Sequence, residues 1–210
     1  MLAQDNQVIL TGWYGSDETH ALSAWTSTSR ELNDEKRARI PQLLKSLASD
    51  GHHTVFEKSS LQFLITTDIA THIQILKHRI GVSANAESAR YKELKDDKFY
   101  VPQDWPADEQ KQYIEFMELA LKNYHEVLAR LVQGGMSRKR AKESARFYLP
   151  YGNQIVTDLM FNWRSFHHFL GLRMKPNAQL EIMKLADSML LQVKSIEGNP
   201  FKHTINAFGY

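Results

Sequence analysis

The sequence predicts an α+β fold, a single domain with a small, mostly antiparallel sheet flanked by long helices. Three observations carry the prediction. Long runs repeat apolar residues at helical spacing, a few short runs have strand character, and 210 residues with 42% hydrophobic content can bury one sizeable core. No stretch reads as a linker, no repeat recurs over tens of residues, and no segment is of low complexity. The expected domain is therefore 1–210.

Val8 to Trp13 is a short β-type run that ends among Gly12 and Gly15. Glu31 to Ser49 reads as a helix with Ile40, Leu43, Leu44 and Leu47 on one stripe and Gly51 as its stop. Leu61, Phe63 and Ile65 alternate with Gln62, Leu64 and Thr66 in a second strand. Asp68 is placed to cap a helix whose apolar positions Ile69, Ile73, Leu76 and Ile80 carry it directly into Lys77-His78-Arg79. Pro106 with Asp108 and Glu109 starts a long helix, because Pro suits the first turn and acids suit the positive end of the dipole. Its stripe runs through Tyr113, Met117, Leu121, Tyr124, Leu128 and Leu131 to Gly134-Gly135. Ser137 can cap a helix through Phe147, before Pro150. Gln154 to Phe161 reads as a strand, and Arg164 to Leu172 and Asn177 to Val193 as helices.

Charge and composition remove several function classes. Lys and Arg number 26 against 24 Asp and Glu, a net +2, too little for electrostatics alone to recruit nucleic acid or an anionic membrane. With no cysteine, thiolate metal sites, thiol nucleophiles and redox pairs are impossible, so any chemistry must come from His, Ser, Arg, carboxylates or a cofactor. The longest uncharged stretches fall far short of the roughly 20 apolar residues of a membrane span. Met1 to Gln7 are polar and lack the features of a secretory signal. A cytoplasmic protein is expected.

The densest polar cluster runs from Lys77 to Tyr91 and holds Lys77, His78, Arg79, Ser83, Asn85, Glu87, Ser88 and Arg90 beside almost no bulky apolar residue. Such a concentration does not suit a core. Ser88 and Arg90 lie two apart, so in an extended segment both point to one side and can grip a phosphate with a hydroxyl and a guanidinium. Gly81 permits close backbone approach. The cations at 77–79 would also suit a helix C-terminus without any further role. The adjacent pairs His52-His53 and His167-His168 point away from metal binding, since chain neighbours rarely share one ion and no second pair has ligand spacing. Arg138, Lys139, Arg140, Lys142 and Arg146 crowd one short helix; most such runs are solvated faces, and Arg146 alone is set apart, beside Leu149-Pro150. In Arg164 to Arg173, Phe166, Phe169 and Leu170 form an inner face, and Arg173 either turns inward to an anion or caps the helix.

In their order these clusters resemble the flavin-dependent thymidylate synthases. That family's signature is Arg-His-Arg, seven residues, then Ser-x-Arg; this chain has Lys77-His78-Arg79, eight residues, then Ser88 and Arg90-Tyr91. Ala24-Trp25-Thr26-Ser27, Gly51-His52 to Phe56-Glu57, Gln74, Arg146-x-x-Leu149-Pro150, Asn162-x-Arg164-Ser165, Leu172-Arg173 and Ala178-Gln179-x-Glu181-Ile182 follow in the family order. Lys77 replaces an Arg, Val55 a Pro and Asn177 a His. The extra spacer residue calls for a local bulge near Gly81, which is expected to leave flavin binding intact.

The resemblance implies an FAD-bound homotetramer with sites where subunits meet. It would methylate dUMP to dTMP, with 5,10-methylenetetrahydrofolate giving the carbon and NADPH reducing the flavin. Gln74, Ser88, Arg90, Arg146 and Arg173 match nucleotide-binding positions, Arg173 being the one that polarises the uracil ring. Lys77, His78, Arg79, Asn162 and His168 match flavin-contacting positions, as does Ser27 more loosely. Ala86 falls opposite a family acid, which Glu87 can shift in to supply. His52 matches a His near the flavin and folate region. The catalytic set so implied is Arg173, Ser88 and His52. Neither metal, nucleic acid nor membrane is implied. Two alternatives keep the fold: transfer of a hydroxymethyl group or use of another pyrimidine, and a flavin- or nucleotide-binding homologue without turnover. The absent cysteine also separates the two routes to thymidylate, because the other synthase attacks uracil with a thiolate.

Overall fold

The computed structural model describes residues 4–88, 93 and 97–210. Four strands, β1 (Gln7–Tyr14), β2 (Ser60–Asp68), β3 (Val82–Ala86) and β4 (Gln154–Phe161), form one sheet in the order β1-β2-β4-β3. The pairing is antiparallel. Glu87 N donates to Val156 O, and farther along β4 Asn162 N donates to Gly81 O, so β3 recedes as β4 advances. Likewise Asp68 N donates to Asn6 Oδ1 while Thr11 Oγ1 donates to Gln62 O. Ile69 N reaches Asn153 O while Gln62 Nε2 reaches Asp158. The sheet thus contains the three strands read from the sequence and adds β3, Val-Ser-Ala-Asn-Ala, in which Val82 alone favours a strand.

The chain divides into two compact units. The first comprises Met1–Gln7, Ile65–Ile75 and Asn85–Thr157. Its helices are α3 (Ile69–Ile75), α4 (Ala107–Gln133) and α5 (Arg138–Ala145). At 27 residues, α4 extends about 40 Å, and the predicted stripe is the buried one, with Met117, Ala120, Leu121, Tyr124 and Leu128 inside. Met117 and Leu121 pack with Phe99 and Val101, and Tyr124 and Leu128 pack on Ala141 and Ala145, whose small side chains let α5 lie close. Asp68 does cap α3, its Oδ1 accepting Thr71 N at 2.8 Å. The helix nevertheless ends at Ile75 instead of running into Lys77-His78-Arg79. Leu76 is 44% exposed and Ile80 92%, so the residues that extended the apolar pattern have no surface to bury against. Ser137 caps α5 as expected, but a 3-10 turn, Arg146–Tyr148, replaces its last residues.

The second unit comprises Val8–Leu64, Leu76–Ala84 and Asp158–Tyr210, with α1 (Asp17–Ala24), α2 (Asp34–Ser49), α6 (Trp163–Arg173), α7 (Leu180–Lys194) and α8 (Lys202–Ala207). Asn33 Oδ1 caps α2 through Lys36 N, which starts the helix three residues later than Glu31. α7 likewise starts at Leu180 and not at Asn177. The core is aromatic: Phe63, Phe161, Phe166 and Phe169 lie ring to ring, and Trp163 stacks on Phe201 at 5.2 Å. Helices α1 and α8 carry no sequence signal, because their buried side chains include Asp17, His20 and Thr204, which show no apolar period. A polar chain joins those side chains. Thr204 Oγ1 donates to Asp17 Oδ1 at 2.6 Å, His20 Nδ1 meets Thr204 Oγ1 at 2.9 Å, and His20 Nε2 meets Ser59 Oγ at 2.8 Å. Because Thr204 gives its proton to Asp17, its oxygen accepts from His20 Nδ1–H, and His20 Nε2 accepts from Ser59. Burial holds His20 neutral, its pKa pushed down to about 3. Among the described residues, no helix is long and apolar enough to cross a membrane.

Candidate functional site

In the second unit the start of α6 organises a cavity. Asn162 Oδ1 accepts Ser165 N at 2.8 Å, the N-cap bond of that helix. Asn162 N and Ser165 Oγ both donate to Gly81 O, at 3.1 and 2.7 Å. Gly81 has φ +68, and a Cβ there would stand 2.5 Å from Asn162 Nδ2. Only glycine allows this approach. At Gly81, where the bulge is expected, the backbone makes a left-handed turn clamped to the helix start.

Gly81, Asn162 and Ser165, with His53, Glu57, Arg164, His167 and His168, line a cavity of about 500 Å³. Arg164 Nη1 donates to Glu57 Oε1 at 2.6 Å, so the one carboxylate of the wall is neutralised. His53 and His167 meet edge to face at 5.9 Å. Burial first, then the neighbouring His53 and His168, push His167 down to about 4. Tyr210 Oη–H donates to His167 O, and the same oxygen stands 2.9 Å from His167 Nδ1. His167 therefore carries its proton on Nδ1 and leaves Nε2 as an acceptor.

Beside these groups Arg173 Nε donates to His78 Nε2 at 3.0 Å. His78 packs edge-on against Phe169 at 5.0 Å, and burial, then Arg173, then His168 push its pKa down to about 4. A neutral imidazole with Nδ1 protonated is the form that can accept from a guanidinium. Of the two orientations the sequence leaves open for Arg173, the structure has its Nε committed to His78 while the residue closes α6.

The cavity and its edge thus bring together His78, Asn162, His168 and Arg173. Lys77 and Arg79 are exposed in the segment leading to Gly81. Ser27 is exposed, its Oγ donating to Ala24 O. His52 is exposed ahead of a 3-10 turn, and its neighbour His53 is the one on the cavity wall. In the first unit Gln74 lies half-buried near the end of α3, and Glu87 and Ser88 follow β3. The Glu87 carboxylate accepts Val156 N at 3.0 Å. Arg146 is exposed in the 3-10 turn after α5, its guanidinium 6.0 Å from the Phe147 ring. Arg90 lies outside the described residues. His53, Glu57, Arg164 and His167 line the cavity without a role assigned from the sequence. Glu57 and Arg164 stood within quoted motifs, and their pairing across 107 positions has no local signal.

The wall suits a flavin. It offers three imidazoles, that of His167 an acceptor, with an amide and a paired guanidinium around a space in the usual range for cofactor pockets, and the Lys77 and Arg79 cations in the same loop for phosphate groups.

Comparison with known proteins agrees. The family model described as thymidylate synthase complementing protein matches residues 8–197. Proteins named flavin-dependent thymidylate synthase are similar to the chain: that of Clostridium tetani is 32% identical over 84% of this chain and 74% of its own length, and that of Mycobacterium tuberculosis H37Rv is 30% identical over 77% and 68%. Among solved structures, a UMP/dUMP methylase, PolB, from Streptomyces cacaoi bound with 5-Br dUMP superimposes with a TM-score of 0.79 at 28% identity, covering 98% of this chain and 95% of that one. The same methylase bound with 5-Br UMP gives 0.77 at 27% identity, covering 98% and 94%. With the family model spanning nearly its whole length, the chain belongs to the thymidylate synthase complementing protein family.

Proposed function

We propose that the protein is a flavin-dependent thymidylate synthase that methylates dUMP to dTMP, with 5,10-methylenetetrahydrofolate as carbon donor and NADPH as reductant. The observation that carries this reading is the bond from Arg173 to a neutral His78 beside the α6 cavity, in a chain of this family. Bound FAD supplies the hydride chemistry; the side chains position and polarise. His78 accepts from the guanidinium Nε and so holds the plane of Arg173, which serves the uracil carbonyls. There its positive charge stabilises negative charge developing in the ring, as an oxyanion hole does. Asn162 and His168, with Lys77, Arg79 and Ser27, serve the flavin. Gln74, Ser88, Arg90 and Arg146 serve the nucleotide, a dianion that asks for charge-assisted donors. Glu87 supplies the family carboxylate, and His52, beside His53, stands at the folate side.

The homotetramer belongs to this reading. It is supported by Phe147, 81% exposed, and Tyr151, 67% exposed, close in sequence to Arg146, apolar surface of the kind that subunits cover. The match across residues 8–197 supports taking 1–210 as one domain, and a cytoplasmic site of action accords with the substrates.

Tritium release from C5-labelled dUMP, with folate donor and NADPH, tests the reading. Release coupled to dTMP is expected, and flavin-bound protein that releases none rejects it. Because the similar S. cacaoi protein is a UMP/dUMP methylase, UMP is a second candidate substrate. Mass analysis of the products from UMP and dUMP decides between them and detects any hydroxymethyl product.

A further inference from the structure

The second unit holds another cavity, of about 560 Å³, whose wall includes Tyr14, Thr19, Ser23, Arg30, Lys58 and Ser60, and also Glu57 and Ser59. Its floor is built, not incidental. Ser59 is 4% exposed and fixed by its bond to His20, the outer end of the chain of hydroxyls that ends on Asp17. Gly15 closes against it with φ +90, where a Cβ would lie 2.9 Å from Ser59 Cβ. A larger residue at 15 would push Tyr14 away from the floor.

The charge of this wall is one-sided. Arg30 Nη1 donates to Thr26 Oγ1, and among the described residues neither Arg30 nor Lys58 pairs with a carboxylate. Glu57, the one acid, is neutralised by Arg164. Two cations among hydroxyl groups form a donor set for phosphate oxygens, and the Tyr14 ring, 68% exposed, offers a stacking face at the same wall. Glu57 lines this cavity and the α6 cavity alike, so the two adjoin at its side chain.

We infer that this second cavity is the docking site for the phosphorylated nucleotide half of the reductant, with its phosphates on Arg30 and Lys58, its base on Tyr14, and its reactive half passing Glu57 into the α6 cavity. The inference rests on the proposed synthase reading for the identity of the ligand.

The test uses the full-length, flavin-loaded protein and 2′,5′-ADP as the probe, titrated calorimetrically against wild type, the R30Q/K58Q double variant and Tyr14→Leu. Loss of two charge-assisted contacts is expected to weaken binding by at least about tenfold in the double variant, and Tyr14→Leu to weaken it by about threefold. In turnover the KM for NADPH should rise about tenfold in R30Q/K58Q, with kcat, flavin content and the KM values for dUMP and the folate unchanged. NADH, which lacks the 2′-phosphate, should lose less. Equal probe affinity in all three proteins, no binding to wild type, or a rise confined to the folate KM would overturn the inference. Probe binding without tritium release would reject the synthase reading alone; tritium release without probe binding would reject this inference alone.

Discussion

Two imidazoles of the second unit are both held neutral by burial, and their neighbours give that neutrality opposite uses. His20 stands in a closed chain: Ser59, His20 and Thr204 each donate toward Asp17, and that chain accounts for both ring nitrogens. His78 stands beside a cavity and accepts from a cation, Arg173. The first imidazole spends its neutrality on joining α1, α8 and the start of β2. The second spends it on aiming a guanidinium. A depressed histidine pKa therefore does not mark a functional residue; the group that the ring serves does.

The contrast can be broken most severely at Arg173. Arg173→Ala should lower tritium release by about 10²–10³-fold, the scale of a lost charge-stabilising donor. The flavin absorbance band should persist, which separates lost chemistry from lost cofactor. At the other imidazole, His20→Leu leaves the Ser59 hydroxyl without its partner and the Thr204 oxygen without its donor, though Thr204 keeps its bond to Asp17, and should cost about 3 kcal/mol of stability, read from the midpoint of a urea transition.

Acid sharpens the same comparison. Unfolded, each imidazole takes a proton near pH 6.5; folded, His20 does so near 3 and His78 and His167 near 4. Between these values the unfolded chain binds more protons, so stability is lost as pH falls from 6.5 toward 3. Asp17, pushed up by burial despite the donors of Thr204 and His203, acts in the opposite sense over part of that window. His20 should contribute a loss of about 2–3 kcal/mol at pH 4.5, measured as the difference in acid sensitivity between wild type and His20→Leu in urea transitions at pH 7 and 4.5.

A smaller break is expected at the turn that precedes β3. Gly81→Ala places a Cβ against Asn162 at positive φ and should weaken FAD binding by about tenfold, a strain of 1–3 kcal/mol, visible in flavin fluorescence titrations. The mildest test is His78→Leu against His78→Gln. The first should cut kcat about tenfold with the dUMP KM little changed, and the second, which keeps an acceptor, should recover part of the loss.

Much of the architecture was legible because it rests on periodic apolar residues. The stripe of α4 from Met117 to Leu128 is buried as read, and the alternation of Leu61, Phe63 and Ile65 places all three inside. What escaped lacks that signal. β3 is a strand by virtue of its ladder to β4 and not of its residues. α1 buries an acid and an imidazole, and the end of α3 follows from the absence of any surface for Leu76 and Ile80. The site divides in the same way. Asn162 and Arg173 stand in recognisable motifs, whereas the pairing of Glu57 with Arg164 and of His53 with His167 arises from folding distant segments together.

The double grip on the Gly81 carbonyl couples two events that could otherwise occur separately. The donors that hold it, Asn162 N and Ser165 Oγ, belong to the residues that start α6. A fluctuation that frees the turn also frays the first turn of the helix, and a fluctuation that frays the helix releases the segment carrying His78. Loop and helix start are therefore expected to open as one cooperative unit, with the helix cap as the bond that both must break.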